Sequence, residues 1–306
     1  MPQDKVVPMR DAVARFVPDG ASVCMGTALE ALIPFAAGHE LIRQRRQDLT
    51  LIGPISDILF DQLVAAGCVA RIQAAWVGNV SAGLGHNYRR AVEHGVPHPV
   101  AVEDHSNLSI ALALQAGAMG APYIPTRSLL GTGLLDSNPT FKQAPDPFSG
   151  DPVVLIPALR PDVAILHVQR SDAEGHAHCW GTLGVTRQAA LAAERVIIVA
   201  EEIWPRERIL SDPGLVLAPA LKVAAVVHEP FGAYPSPVQG YYGRGHDFYH
   251  RYHEEMRTVE GTRVWLDHWI FGVADWKGFL STLGPEAREA VRVKTPRLSE
   301  PLDYGA

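Results

Sequence analysis

The sequence predicts an α/β fold: a mostly parallel sheet flanked by helices, with a helical C-terminal portion. Three observations lead there. Short apolar runs alternate with amphipathic stretches, the pattern that βαβ crossovers require. Several of those stretches stop at a glycine (Gly67, Gly95, Gly120), as left-handed helix ends favour. The chain has 306 residues, 47% of them apolar and 20% charged, long enough to bury a substantial core and too apolar to stay disordered.

In chain order, the Asp19-Gly20 turn leads into a strand at Ala21–Gly26. Further strands are expected at Leu49–Gly53, Ile72–Val77, Val100–Asp104 and Tyr123–Thr126. Between them, Phe35–Arg46, Ile58–Ala66, Tyr88–His94 and Leu108–Met119 each have helical character, the last with Ser106 as its N-cap. Residues 128–150 are rich in Gly, Pro, Ser and Asp and break the rhythm. A stretch of that length without periodicity reads as a functional loop. Strands resume at Val153–Ile156, Val163–Val168, Val196–Ala200 and Val223–Val227, and helices dominate from about 246 to 292. With no repeat and no flexible linker, residues 1–306 read as a single domain with its core at about 10–260.

A net charge of −6, from 27 basic and 33 acidic residues, argues against a dedicated nucleic-acid or anionic-membrane binder. Cys24, Cys68 and Cys179 lie far apart, so neither a zinc finger nor a disulfide framework is indicated, and buried small apolar roles suit them better than nucleophilic ones. The N-terminal stretch has no apolar secretory core, and no run reaches the roughly 18 apolar residues of a membrane span. A reduced, cytoplasmic protein is the expectation.

Glu103, in AVEDHSN, falls at the C-terminal end of an expected strand, directly before a helix. Ligands of open parallel sheets bind in the crevice beyond such ends, where a carboxylate can serve as nucleophile, base or orienting partner beside Asp104 and His105. The competing reading has Asp104 or Ser106 cap the helix while Glu103 is merely solvated. Gly131-Thr132-Gly133, with Arg127 upstream, suits an oxyanion or phosphate cradle and equally suits a plain turn. Gly26-Thr27 and Gly78-Asn79 face the same rim after their strands. His246, His250 and His253 would share one helix face, but no HExxH-type base accompanies them, and a surface or subunit-contact helix explains them better. His176 and His178 alternate along a strand, where hydrogen-bonded structural roles are favoured over ligation. No GxSxG elbow is present.

Taken together, DLTLIGPISDILFDQLVAAGCVARIQAAWVGNV, VEDHSNLSIALALQAGAMGAPYIPTRSLLGTGLL, LRPDVAILHVQRSDAEGHAHCWG, AAERVIIVAEEI and GAYPSPVQGYYGRGHDFYHRYHEE resemble the A (alpha) subunit of class I CoA-transferases of the glutaconate type. The resemblance implies the fold shared by CoA-transferases and sugar-phosphate isomerases. It also implies a separately encoded B (beta) subunit, in a heterodimer or higher hetero-oligomer. The implied chemistry moves CoA between an acyl-CoA and a carboxylic acid through a glutamyl-CoA thioester, with no cofactor beyond coenzyme A as substrate. The attacking glutamate of such enzymes generally belongs to the B subunit. Glu103 matches the acidic position of the A-subunit EEYS-like segment, here EDHS, and related CoA-ester and ring-opening hydrolases use an A-subunit glutamate in this region. Ser128, Gly131, Thr132 and Gly133 keep the pattern, which implies acyl or pantetheine contact there.

Departures occur at Gly26-Thr27-Ala28 for the usual Gly-Gly-Phe, Gly175-His176 for Gly-Asn, and Ala233-Tyr234-Pro235-Ser236 for Ala-His-Pro-Ser. They leave the acyl substrate open. The candidate site is therefore Glu103 with Gly26, Thr27, Asn79, Arg127, Ser128, Gly131, Thr132 and Gly133. The alternatives are a CoA-thioester hydrolase with Glu103 as base and a scaffold subunit that completes its partner's site. Residues 241–253 and 265–271, rich in aromatics, are places to look for a partner face, or they are core.

Overall fold

The computed structural model describes residues 4–294. Seven parallel strands form the central sheet, in the spatial order 223–228, 195–203, 163–171, 22–24, 49–55, 69–76 and 101–104. A short segment, Ala177–His178, pairs antiparallel with Val163–Ser171. The chain thus enters at the middle, steps outward to Ala101–Asp104, and returns on the other side to finish the sheet at Val223–His228. Because the strands are parallel, all seven carboxyl ends share one rim. The central strands read as near-continuous apolar runs for a physical reason: Val196 to Ala200 are consecutive buried residues, since helices cover both faces. Ala101–Asp104 is different, with Ala101 and Asp104 exposed and Val102 and Glu103 half-buried.

Tyr123–Thr126 and the later apolar run, here Pro152–Pro157, do not join this sheet. They form a separate antiparallel sheet, with Pro152–Pro157 central between Tyr123–Thr126 and Lys142–Pro145. The expected loop at 128–150 is consequently half built, with a short helix at Leu134–Ser137 and the edge strand Lys142–Pro145. That strand, KQAP, is polar and ends in proline, as suits an edge. Its periodicity is too weak to announce it.

Helix Asn107–Met119 explains how the two sheets are joined. Ile110 and Leu114 belong to the main core, whereas Ala113 packs with Leu129, Phe141, Val154 and Ile156 under the small sheet. A helix packed on two sides is apolar all round, and NLSIALALQAGAM is so. Gly117 permits the close approach, since a Cβ there would fall 2.0 Å from the Leu159 carbonyl oxygen.

The C-terminal helices begin at His246–Glu255 and continue through Val259–Leu266, Trp276–Leu283 and Pro285–Val291. Here the aromatic segments answer to core packing. Tyr242, Phe248, Tyr249, Tyr252, Trp265 and Trp269 are buried. The rings of Trp265, Trp276 and Phe279 surround His39 edge-on at centroid distances of 5.2–6.0 Å. Burial drives the His39 pKa down to about 3, so the ring packs there as a neutral group, with Gln62 as its hydrogen-bond partner. Among the described residues no helix is long and apolar enough to cross a membrane.

Candidate active site

Glu103 occupies the position expected of it, at the carboxyl end of the open edge strand. The parallel register sets Gln73 directly beside it, and Gln73 Nε2 donates to Glu103 Oε2 at 3.0 Å. His105 Nε2 lies 3.1 Å from Oε1, and the Thr140 hydroxyl reaches the same oxygen at 3.4 Å. Asn138 ties the following residue down, donating to the Asp104 carbonyl at 2.8 Å. Ser106 caps helix Asn107–Met119 in a reciprocal box with Ser109, so the turn after the strand is fixed at both ends. The Glu103 side chain is left only 11% exposed. Its carboxyl is held below the ordinary glutamate range, first by the His105 hydrogen bond and then, against the opposing effect of burial, by Gln73 and the charge of Arg71. Such a group is an ionised, oriented acceptor. It is correspondingly a weaker base and nucleophile than a free carboxylate.

The other candidate residues fall into two groups. Gly26, Thr27 and Asn79 lie at the carboxyl ends of the central strands, and internal contacts occupy them. Gly26 has φ +63°, and a Cβ there would sit 2.0 Å from Ser56 Oγ and 2.7 Å from Ser56 Cα. Thr27, buried, shares a 2.8 Å hydrogen bond with Thr186. Asn79, also buried, donates to the Tyr249 carbonyl at 2.7 Å and accepts from the Ser81 amide. Arg127, Ser128 and the 131–133 turn belong to the small-sheet side. There Arg127 faces Asp151 at 3.4 Å with its side chain 70% exposed. Ser128 pairs with the Thr126 hydroxyl, and Thr132 Oγ1 donates to the Leu129 carbonyl. Gly131 and Gly133 have open space where a Cβ would be. The same segment's continuation, through Asn138 and Thr140, reaches Glu103.

Gln73, Asn138 and Thr140 do not stand out in the sequence as site residues. For Gln73 the available signal is a polar residue within an apolar strand; for the other two no local pattern exists. Among the described residues, no group of three or more His, Cys, Asp or Glu is placed to hold a metal ion. The His253 ring lies against that of His86, tilted by 41° at a centroid distance of 4.4 Å. His176 pairs with Asp172 at 2.7 Å, and buried His178 lies 2.7 Å from the Ile209 carbonyl. All three cysteines are buried, with thiols pushed up to about 12. They are inert as nucleophiles at neutral pH.

With this geometry in place, comparison with known proteins is informative. A family model described as coenzyme A transferase matches residues 6–229. The A subunit of the 3-oxoadipate CoA-transferase of Pseudomonas knackmussii is 37% identical over 275 residues, spanning 90% of this chain and 96% of that one. The A subunit of the glutaconate CoA-transferase of Acidaminococcus fermentans is 30% identical over 92% of each chain. The crystal structure of that glutaconate enzyme superposes with a TM-score of 0.91 over 98% of each chain. A more distant relative is the cholesterol ring-cleaving hydrolase IpdA subunit of Mycobacterium tuberculosis, 26% identical over 92% of this chain and 98% of its own. The agreement runs through both sheets and the C-terminal helices, and the chain belongs to the coenzyme A transferase family, among its A subunits.

Proposed function

We propose that this chain is the A subunit of a two-subunit enzyme that moves CoA between an acyl-CoA and a carboxylic acid. The near full-length likeness to the A chains of two transferases supports the reaction class. The pinning of Glu103 supports the division of labour. Both its oxygens already accept hydrogen bonds and its basicity is depressed. The attacking glutamate is therefore assigned to a B subunit, and Glu103 becomes an anionic wall of the acyl-CoA site. No cofactor is required beyond coenzyme A as substrate.

In that reaction the partner's carboxylate attacks the thioester carbonyl and expels CoA thiolate, leaving an acyl-glutamyl anhydride. The thiolate then attacks the glutamyl carbonyl, which forms glutamyl-CoA and frees the first acid as carboxylate. An acceptor carboxylate reverses both steps. One thioester replaces another, so the steps are near balance. Catalysis then rests on orientation, dryness and oxyanion donors. Gly26, Thr27 and Asn79 shape the rim from within. Arg127, Ser128, Gly131, Thr132 and Gly133 are assigned to acyl or pantetheine contact, where open space surrounds the glycines.

The test uses the purified complex with its copurifying second chain, incubated with a panel of acyl-CoAs and quenched with hydroxylamine. Each chain's intact mass is then recorded. Hydroxylamine converts a glutamyl thioester to a stable hydroxamate. The expected result is a mass shift on the second chain and none on this one. No shift on either chain, with free CoA accumulating in the absence of an acceptor acid, would overturn transfer in favour of hydrolysis with Glu103 as base.

A further inference from the structure

The contacts behind Glu103 form a chain that its role as a wall residue does not by itself require. His105 is buried, its side chain 1% exposed, and both ring nitrogens have partners. Nε2 faces Glu103 Oε1, and Nδ1 lies 3.1 Å from the Ser109 hydroxyl. The Phe141 ring meets the imidazole edge-on at 5.3 Å and fixes its plane. A carboxylate can only accept, so it draws the imidazole proton to Nε2. Nδ1 then faces the Ser109 hydroxyl, whose one proton is shared between that nitrogen at 3.1 Å and the Ser106 carbonyl at 3.2 Å. Ser109 is itself held, its oxygen accepting from the Ser106 amide at 2.9 Å. Through His105 and Ser109 the strand-end carboxylate is thus tied to the first turn of helix Asn107–Met119.

We propose that His105 is a positioning residue for the acyl-CoA site: oriented by Ser109 and Phe141, it donates Nε2–H to Glu103 and sets the rotamer and charge of that carboxylate. The inference rests on the proposed placement of Glu103 in that site. The charged and titratable groups around the pair are Arg71 on the neighbouring strand, Asp104 on the same strand, and Tyr88, whose phenol feels Asp104. Gln73 and Thr140 are the other side-chain donors to Glu103.

The experiment compares the wild-type complex with His105→Phe, His105→Gln and Glu103→Gln. The Phe variant keeps the ring contact and loses the donor, and the Gln variant keeps a donor that does not titrate. Carboxyl-13C glutamate is incorporated into this chain only. The Glu103 resonance is the one missing from the Glu103→Gln spectrum. In His105→Phe its titration midpoint is expected to rise by about one pH unit, with kcat falling about tenfold and KM little changed; His105→Gln restores both.

An unmoved midpoint in the Phe variant, or a moved midpoint with kcat intact, would overturn the proposal. So would equal losses in the Phe and Gln variants. If the Phe variant does not assemble, Ser109→Ala carries the test, with a smaller midpoint rise expected and no rise counting against it. Full turnover in Glu103→Gln would instead remove the reading of Glu103 on which the inference rests, and would do so whatever the midpoints show.

Discussion

Two glutamates end the two edge strands of one parallel sheet, and their surroundings push them in opposite directions. Glu103 is the penultimate residue of Ala101–Asp104 and Glu229 follows Val223–His228, so both sit on the carboxyl rim. Three side chains donate to Glu103, and its pKa falls. Glu229 lies in a groove of about 420 Å³ lined by Glu40, Arg43, His228, Asp275, Trp276 and Lys277. There burial, followed by the charge of Asp275, raises it to about 7, with Lys277 opposing and Glu201 and Glu40 adding to the rise. Partial burial alone does not decide the fate of a strand-end carboxylate; the supply of donors does. The edges differ in cover as well. Residues 5–7 hydrogen-bond along Val226, whereas the Asp104 carbonyl is met by the side chain of Asn138. One edge is sealed into the fold, and the other keeps an ionised group near the surface.

The largest expected effect falls on the Glu103 side. Glu103→Gln should lower CoA transfer by about 10²- to 10³-fold, the usual cost of removing a preorganised electrostatic group. It should cost the fold only about 1–2 kcal/mol, because an amide N–H would then confront the donors of Gln73 or His105. Turnover and urea unfolding measured on the same preparation separate the two. A variant that transfers CoA at the wild-type rate would make this chain a scaffold for its partner's chemistry and would erase the functional contrast between the edges.

The second effect concerns stability at the opposite edge. The Glu229 carboxyl is raised above its unfolded value, so its contribution to stability is whole below about pH 4.5 and is lost as pH rises through about 7. Glu103 is depressed and behaves inversely: its contribution is present at neutral pH and is lost as pH falls below the ordinary glutamate range. Glu229→Gln should therefore stabilise the protein by about 1–3 kcal/mol at pH 8 and change little at pH 5. Urea midpoints at the two pH values check it. An equal effect at both would mean that Glu229 is not protonated by its surroundings.

How much of this contrast is legible in the sequence follows from how each part is held. The central strands are legible because burial on both faces writes itself as near-continuous apolar runs, as in Val163–Val168 and Val196–Ala200. Their spatial order is not, since any strand of that composition suits the centre. The small sheet is half legible: Tyr123–Thr126 and Val153–Ile156 stand out, while polar Lys142–Pro145 does not. Glu103 could be found because a strand end, a cap and a carboxylate are contiguous. Its partners Gln73 and Thr140 arrive from 30 and 37 positions away. Glu229 has the same local setting, an acid directly after an apolar strand, and no local feature separates the two. The difference comes from Asp275, Lys277 and Glu40, which only the folded chain brings to it.

That dependence can be tested one neighbour at a time, with the smallest expected effect. Asp275 is the largest charge acting to raise Glu229. It also caps helix Trp276–Leu283, accepting from the Gly278 amide at 2.9 Å. Asp275→Asn keeps an acceptor at the cap but removes the charge. At pH 5 Glu229 is already protonated, so the variant shows only the lost attraction between Asp275 and the helix N-terminus, about 0.3–1 kcal/mol of destabilisation. At pH 8 the relief of Glu229 works the other way, and the two effects should nearly cancel, more weakly in high salt because Asp275 is exposed. The difference in melting temperature between variant and wild type should thus shrink or change sign from pH 5 to pH 8. A constant deficit across that range would mean that the two carboxylates do not sense each other, and the raised proton affinity of Glu229 would then rest on burial alone.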